Sequence, residues 1–229
     1  MKMAWVFPGQ GAQWVGMGRD LYDNSDSARA VFGQADEILE FSLSKLCFEG
    51  PEDELRQTIN AQPALVVASF ACLHAVRDIS GNNSLPAPAF VAGHSLGEYT
   101  ALAVAGVFDF ATAVRLARER GRLMHEAGQA QPGSMAAIIG LDETPVIEVC
   151  QQTGTCLANI NCPGQIVISG ARDKLSRAVD LARSKGALRT IPLQVSGAFH
   201  TELMEPAVSG MSQVIERLPF RDPKVPIVA

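Results

Sequence analysis

Residues 93–97 read Gly93-His94-Ser95-Leu96-Gly97, a glycine-x-serine-x-glycine pattern with a short apolar run before it and a small-residue helical pattern after it. That setting gives the pattern its chemistry. A sharp strand-to-helix turn lifts a serine hydroxyl out of a sheet, and small flanking residues let neighbouring backbone come close. The hydroxyl then faces the positive end of the following helix, where backbone N–H groups can hold an oxyanion. Ser95 is therefore a candidate nucleophile for acyl transfer. A serine needs a base, and the chain offers four histidines. His94 adjoins Ser95, and neighbours in a tight turn point apart, so it reads as a pocket-wall residue. His74 lies in mid-helix among Ala71, Cys72 and Ala75 and reads as half-buried. His125, near a helix end, suits charge–dipole stabilisation or simple exposure. His200 closes the run Val195-Ser196-Gly197-Ala198-Phe199-His200, where the chain leaves a small inserted domain and re-enters a larger one. Junctions of that kind line clefts, which gives His200 a lead as the base.

Two further patterns could serve the same chemistry. In Phe7-Pro8-Gly9-Gln10-Gly11 the glycines flanking Gln10 permit a close backbone approach. The Gln10 N–H would then be a second oxyanion donor beside that of Leu96, although the same residues also read as an ordinary Pro-Gly turn. Between Arg115 and Arg122 there are four arginines on a helical pattern. A guanidinium in a cleft grips a carboxylate in bidentate fashion. Arg120 precedes Gly121, where backbone can pack tightly, but spacing alone does not separate Arg120 from Arg118.

These residues need a scaffold. Met3 to Phe7 and Ala89 to Gly93 read as short buried strands, each ended by a glycine-containing turn. Helical patterns run over 28–39 and 63–79, with Pro63 suited to a first helical turn and Gly81 just past the end. The loop from Asn82 to Pro88 is rich in Asn and Pro. Strand, tight turn and helix in this order imply an α/β body with a parallel sheet, hydrolase-like, carrying a nucleophile elbow. From Pro132 the texture changes. Strands are expected at 134–140, 155–161, 165–170 and 188–195, with helices at 143–152 and 172–185. This βαββαβ order is the ferredoxin-like unit. Residues 132–196 are thus expected to form a ferredoxin-like small domain inserted into a large α/β catalytic domain made of 1–131 and 197–229. The tail, Lys224 to Ala229, reads as the start of a strand with nothing after it, an open apolar edge at a terminus. The chain looks cut short there.

With 229 residues, 47% of them hydrophobic and 19% charged, there is material for one large domain carrying an insertion. A net charge of -5 argues against nucleic acid as a partner. The five cysteines, Cys47, Cys72, Cys150, Cys156 and Cys162, form no Cys-x-x-Cys pair and read as reduced thiols of a cytoplasmic protein. No targeting segment is visible, and no stretch approaches the length of a membrane span.

Taken in order, Phe7-Pro8-Gly9-Gln10-Gly11, Gln62-Pro63-Ala64, Gly93-His94-Ser95-Leu96-Gly97-Glu98-Tyr99, Arg120-Gly121, Asn161-x-Pro163-Gly164-Gln165 and Gly197-Ala198-Phe199-His200 span the whole chain. The set resembles the malonyl-CoA:acyl carrier protein transacylase family and is similar to the acyltransferase domains of polyketide synthases. The resemblance implies roles. Ser95 would be acylated and His200 would be its base. Backbone N–H groups of Gln10 and Leu96 would form the oxyanion hole, and Arg120 would pair with the free carboxylate of the malonyl group. Gln62, Asn161 and His94 would line the pocket. Phe199, ahead of the catalytic histidine, resembles the malonyl-selecting pattern, since a ring there crowds an α-methyl worth about 1–3 kcal/mol of discrimination. The reaction would be ping-pong, from malonyl-CoA to the phosphopantetheine thiol of acyl carrier protein, in fatty acid or polyketide synthesis, with no bound cofactor and no metal. Relatives of this kind continue past residue 229 and supply there a glutamine whose carbonyl orients the histidine. Its loss would leave a catalytically impaired homologue. A serine esterase or thioesterase is the other competitor, but no His-Gly-Gly-Gly segment is present and a carboxylate clamp is foreign to it. Carrier proteins are acidic, so Lys174 and Arg177 on the basic helix 172–185 are the expected docking face, with a plain solvated face as the alternative. A monomer is expected, since Ser95 can complete both half-reactions alone.

Overall fold

The computed structural model describes residues 2–81 and 85–229, so the first three residues of the expected Asn82–Pro88 loop lie outside the described residues. In chain order the elements are β1 (Ala4–Phe7), α1 (Arg19–Asn24), α2 (Asp26–Leu39), α3 (Leu43–Glu49), α4 (Glu52–Arg56), α5 (Thr58–Ser80), β2 (Phe90–Gly93), α6 (Gly97–Val104) and α7 (Phe110–Ala130). There follow β3 (Gly133–Ile139), α8 (Glu143–Thr153), β4 (Cys156–Cys162), β5 (Gln165–Ala171), α9 (Arg172–Ser184) and β6 (Arg189–Pro192). A 3-10 turn (Glu202–Met204), α10 (Glu205–Ile215) and β7 (Ile227–Val228) complete the chain. Two compact units result, residues 1–122 with 217–229, and residues 123–216.

The first unit is the α/β body. Its sheet runs β1-β2-β7, all parallel, with Trp5 opposite Val91 and Val91 opposite Ile227. The expected burial of the first two strands holds only in part: Phe7 and Val91 are buried, whereas Val6 and Phe90 are exposed, because short strands of a three-stranded sheet are left partly uncovered. The tail is stitched in by backbone bonds, from Arg221 to the Val107 carbonyl at 3.0 Å and from Lys224 to that of Ala105 at 2.7 Å. Helix α2 buries Ala28, Val31, Phe32 and Ala35, an i, i+3, i+4, i+7 stripe. Its N-terminus is capped by Ser25, whose hydroxyl accepts from the Ala28 N–H at 3.1 Å.

Helix α5 departs from expectation in two ways. It begins five residues earlier than the Pro63 start, so Pro63 lies inside the helix rather than in its first turn. With 23 residues it is also long and apolar enough to cross a membrane by length and composition. Its apolar side chains, from Ala61 through Val67 to Ala75, are instead largely buried in the first unit's core. A core helix wrapped by others is apolar nearly all round, so its composition resembles that of a membrane span.

The second unit is built on an antiparallel sheet in the order β4-β5-β3-β6. Numbered within the βαββαβ run this is 2-3-1-4, the ferredoxin-like order. One core packs Ala136, Ile138, Ile166 and Ile168 with Val146, Val149, Leu175 and Ala178 of α8 and α9. The alternate residues, Met135, Ala137 and Val167, pack with Met124, Ala127, Phe199, Met204 and Ala207. Strand alternation sends successive side chains to opposite faces. The sheet therefore needs cover from the end of α7 and from α10, and the compact unit takes in more chain than 132–196 on both sides. Helix α10 was not expected from sequence, because Pro206 and Gly210 interrupt its pattern. Pro206 sits in the first turn, where no N–H is needed. A Cβ on Gly210 would meet the methyl end of the Leu123 side chain at 2.7 Å, so α10 faces Leu123 there and the leucine would have to move aside for any larger residue.

Candidate active site

The turn between β2 and α6 has the strain a nucleophile elbow requires. Ser95 has φ 49°, in the left-handed region that side chains other than glycine rarely adopt. Its neighbours explain how the turn closes. A Cβ on Gly93 would lie 2.0 Å from the Gly97 carbonyl carbon, and one on Gly97 would lie 2.3 Å from the Phe7 carbonyl oxygen. Only glycine fits at either place. The His94 N–H donates to the Phe7 carbonyl at 3.0 Å, so the elbow is pinned to the end of β1. Leu96, 1% exposed, is the N-cap residue of α6.

The Pro8–Gly11 segment follows from the same packing. A Cβ on Gly9 would meet the His94 carbonyl oxygen at 2.4 Å and His94 Nδ1 at 2.7 Å. This brings the Gln10 backbone beside the elbow and lays the His94 imidazole against Gly9. The Gln10 side chain is held away by its own bond, Nε2 donating to the buried Thr58 Oγ1 at 3.1 Å.

The two arginines that spacing left open are separated by their partners. Arg120 Nη2 donates to Ser95 Oγ at 3.1 Å, and its Nη1 donates to Gln62 Oε1 at 2.8 Å. Gln62 is fully buried. The Arg120 guanidinium lies over the Tyr99 ring, 5.7 Å from its centroid. Burial pushes the Arg120 pKa down, opposed by Tyr99 and Glu98, and burial pushes the Tyr99 phenol up. A guanidinium starts so far above neutral that it stays a cation. Arg118 is turned elsewhere. Its Nη1 donates to the Ile59 carbonyl at 2.9 Å and to Asn60 Oδ1 at 2.5 Å, and its guanidinium lies 4.8 Å from the Phe41 centroid.

His200, Phe199 and Asn161 belong to the second unit. His200 has φ 60° and is exposed, on a loop fixed by Thr201, whose hydroxyl donates to the Ala198 carbonyl at 2.7 Å and accepts from the Leu203 N–H at 3.2 Å. Among the described residues three non-glycine positions have positive φ: Glu40 at the end of α2, Ser95 and His200. Such strain costs on the order of 1–3 kcal/mol and collects at functional sites. Phe199 is 5% exposed within the second core, and Asn161 is exposed near the end of β4. Of the other histidines, His74 is held below its ordinary pKa, first by burial and then by Arg77. His125 Nε2 lies 3.1 Å from Gln129 Nε2. Among the described residues no group of three His, Cys, Asp or Glu side chains is placed to share a metal ion.

Thr58 is not singled out by the sequence, and Tyr99 only closes the 93–99 motif without a role of its own, although each touches a site residue. A signal for Thr58 existed in Gly121, whose missing side chain is explained by the Thr58 carbonyl 2.6 Å from where its Cβ would be.

Residues 4–229 match the acyl transferase domain family. The chain belongs to that family. Among curated relatives, the malonyl CoA-acyl carrier protein transacylase of Bacillus subtilis (strain 168) is 46% identical over all of this chain and 72% of its own length. Two solved structures extend the likeness. The acyl-carrier-protein-S-malonyltransferase of Bartonella henselae superposes with a TM-score of 0.94 at 45% identity, over all of this chain and 74% of its own. A malonyl-transacylase solved in complex with its type II polyketide synthase acyl-carrier protein gives 0.93 at 40% identity, also over all of this chain and 74% of its own. The chain thus spans about three quarters of the length of these acyl transferases.

Proposed function

We propose that this acyl transferase moves a malonyl group from malonyl-CoA to the phosphopantetheine thiol of an acyl carrier protein through a malonyl ester on Ser95. The hydrogen bond from Arg120 to Ser95 Oγ carries the reading. A malonyl ester places its free carboxylate only two carbons beyond the acyl carbon. A guanidinium already within hydrogen-bond reach of Oγ is therefore within reach of that carboxylate. Gln62 accepts from the guanidinium's other terminal nitrogen and Tyr99 supports its face, so little ordering remains to be done on binding.

In the first half-reaction Ser95 Oγ attacks the thioester carbonyl and its proton passes to His200. The resulting oxyanion is held by the Gln10 and Leu96 N–H groups, and collapse releases CoA thiolate, which takes the proton back from His200. In the second, His200 deprotonates the carrier's thiol, which attacks the Ser95 ester. Ser95 leaves with the proton, and the enzyme returns unchanged. No resident cofactor or metal is needed for these steps. Arg120 selects an acid-bearing chain and fixes it so that water is poorly placed to attack. Pocket roles are proposed also for His94, which lies against Gly9, and, from the family resemblance, for Asn161 and for Phe199, whose ring would disfavour an α-methyl.

The carrier is proposed to dock on α9. Arg183 is paired with Asp180 and Lys185 with Glu148, while Lys174 and Arg177 are exposed and, among the described residues, make no ion pair. The enzyme is proposed to act as a monomer in the cytoplasm, where the described cysteines, all free, would stay reduced.

Intact mass after mixing with malonyl-CoA tests the scheme. A malonyl adduct is expected that disappears in Ser95→Ala and is discharged by carrier protein. Reversing Lys174 and Arg177 to Glu should slow discharge without slowing loading. Absence of the adduct would refute the scheme, and free malonate appearing at the loading rate without carrier would assign a hydrolase instead.

A further inference from the structure

Proline inside a helix removes one backbone donor and leaves the carbonyl four residues earlier without its partner. In α5 the proline is Pro63 and the carbonyl is that of Ile59. This is the carbonyl that Arg118 Nη1 reaches at 2.9 Å, while the same nitrogen donates to Asn60 Oδ1. The guanidinium is supported on its face by Phe41 and opens on a polar recess of about 320 Å³ lined also by Ser42, Lys45 and Glu54. Burial holds the Arg118 pKa below its usual value, which fits a side chain partly withdrawn from water.

The turn that Arg118 mends is the one from which the site hangs. Thr58 anchors Gln10, Gln62 anchors Arg120, and Gly121 lets α7 lie directly on the Thr58 and Ile59 backbone. Arg118 and Arg120 leave α7 two residues apart and bind the same turn of α5 at Ile59–Asn60 and at Gln62. We infer that Arg118 is a positioning residue for carboxylate selection: by taking the carbonyl that Pro63 leaves open, it fixes the register of α5 against α7 and with it the Gln62–Arg120 pair. The inference rests on the malonyl-transfer reading and extends it to a residue that touches neither substrate nor Ser95.

The experiment is a double-mutant cycle read as malonyl-CoA against acetyl-CoA transfer, since acetyl lacks only the carboxylate. Arg118→Met should lower the malonyl-to-acetyl ratio about tenfold, with KM for malonyl-CoA rising more than kcat falls, because water can enter the recess to bond the carbonyl but cannot tie α5 to α7. Pro63→Ala restores the N–H that reaches the Ile59 carbonyl. The double variant Pro63→Ala with Arg118→Met should therefore recover most of the lost ratio. Melting temperature is measured alongside. An unchanged ratio with a lowered melting temperature would make Arg118 a plain structural brace, and a double variant equal to the product of the singles would sever the link to Pro63. Either result overturns the inference. Should Arg118→Met not fold, Arg118→Lys, which keeps one donor, reads the same ratio and should fall between. The parent reading is tested separately, by whether the wild-type enzyme prefers malonyl-CoA and loses that preference in Arg120→Ala.

Discussion

Arg120 and Arg118 share a residue type, a helix and a partner segment, and only the direction of their hydrogen bonds assigns them different work. On the proposed function, Arg120→Ala removes the positive partner of the malonyl carboxylate from a largely buried position. Truncating one member of such a pair costs about 2–5 kcal/mol, or roughly 30- to several-thousand-fold in kcat/KM for malonyl-CoA. Acetyl transfer, with no carboxylate to lose, should fall far less. Comparing the two substrates in one variant measures the carboxylate contact directly, and equal losses would mean that Arg120 serves Ser95 rather than the acyl chain. Ser95 itself was legible in the sequence because its neighbours are glycines and its flanks are a strand and a helix. The choice of Arg120 was not legible from spacing. It depends on Pro63 lying inside a helix, which commits Arg118 to the Ile59 carbonyl.

Glycines decide how closely the elements approach. Gly121 has a side-chain-free face against the Thr58 carbonyl, 2.6 Å from where a Cβ would stand, and against the Ile59 Cα at 2.8 Å. Both are backbone atoms that cannot swing aside. Gly121→Ala should force α7 away from α5 and destabilise the protein by about 1–3 kcal/mol, as overpacking generally does. For a chain of this size that is a fall in melting temperature of roughly 2–12 °C. The same displacement shifts Arg120, one residue earlier, so the malonyl-to-acetyl ratio should fall as well. A stable variant with normal selectivity would show that the two helices tolerate a wider spacing. At this scale the strands and the βαββαβ order were readable, because β-branched runs such as Ile166-Val167-Ile168 and single glycine turns are local signals. Helix α10 was hidden by Pro206, which is harmless because it falls in the first turn, and by Gly210, which faces the Leu123 side chain far away in sequence. The start of α5 was hidden by a proline whose lost bond is replaced from another helix.

The two compact units are crossed by the chain at Arg122–Leu123, in the interior of α7, and again at Glu216–Arg217. A continuous helix that supplies buried residues on both sides, Val114 and Leu116 before the crossing and Met124 and Ala127 after it, cannot melt in one unit without fraying into the other. We therefore expect a single unfolding transition, and the cysteines report it. Cys47 is buried in the first unit and Cys150 in the second, while Cys72 and Cys162 are exposed. Pulsed alkylation read by mass should label Cys72 and Cys162 in the native protein, and Cys47 and Cys150 together at one denaturant midpoint. Two midpoints would show that the units unfold independently. Cys47 adds a pH dependence with a fixed sign. Burial, reinforced by Asp36, pushes its thiol from an ordinary value of 9.0 up to about 12. The native state thus favours the neutral thiol, whereas the unfolded chain ionises near the ordinary value. Its stabilising contribution is complete below that value and is lost as pH rises from there through about 12. Melting temperatures should fall along this alkaline arm in the wild-type protein, and the fall should be shallower in Cys47→Ala. The alanine variant starts lower, because removing the buried sulfur leaves a small void, but it has no thiol to ionise. Parallel arms in the two proteins would place the alkaline transition on some other group.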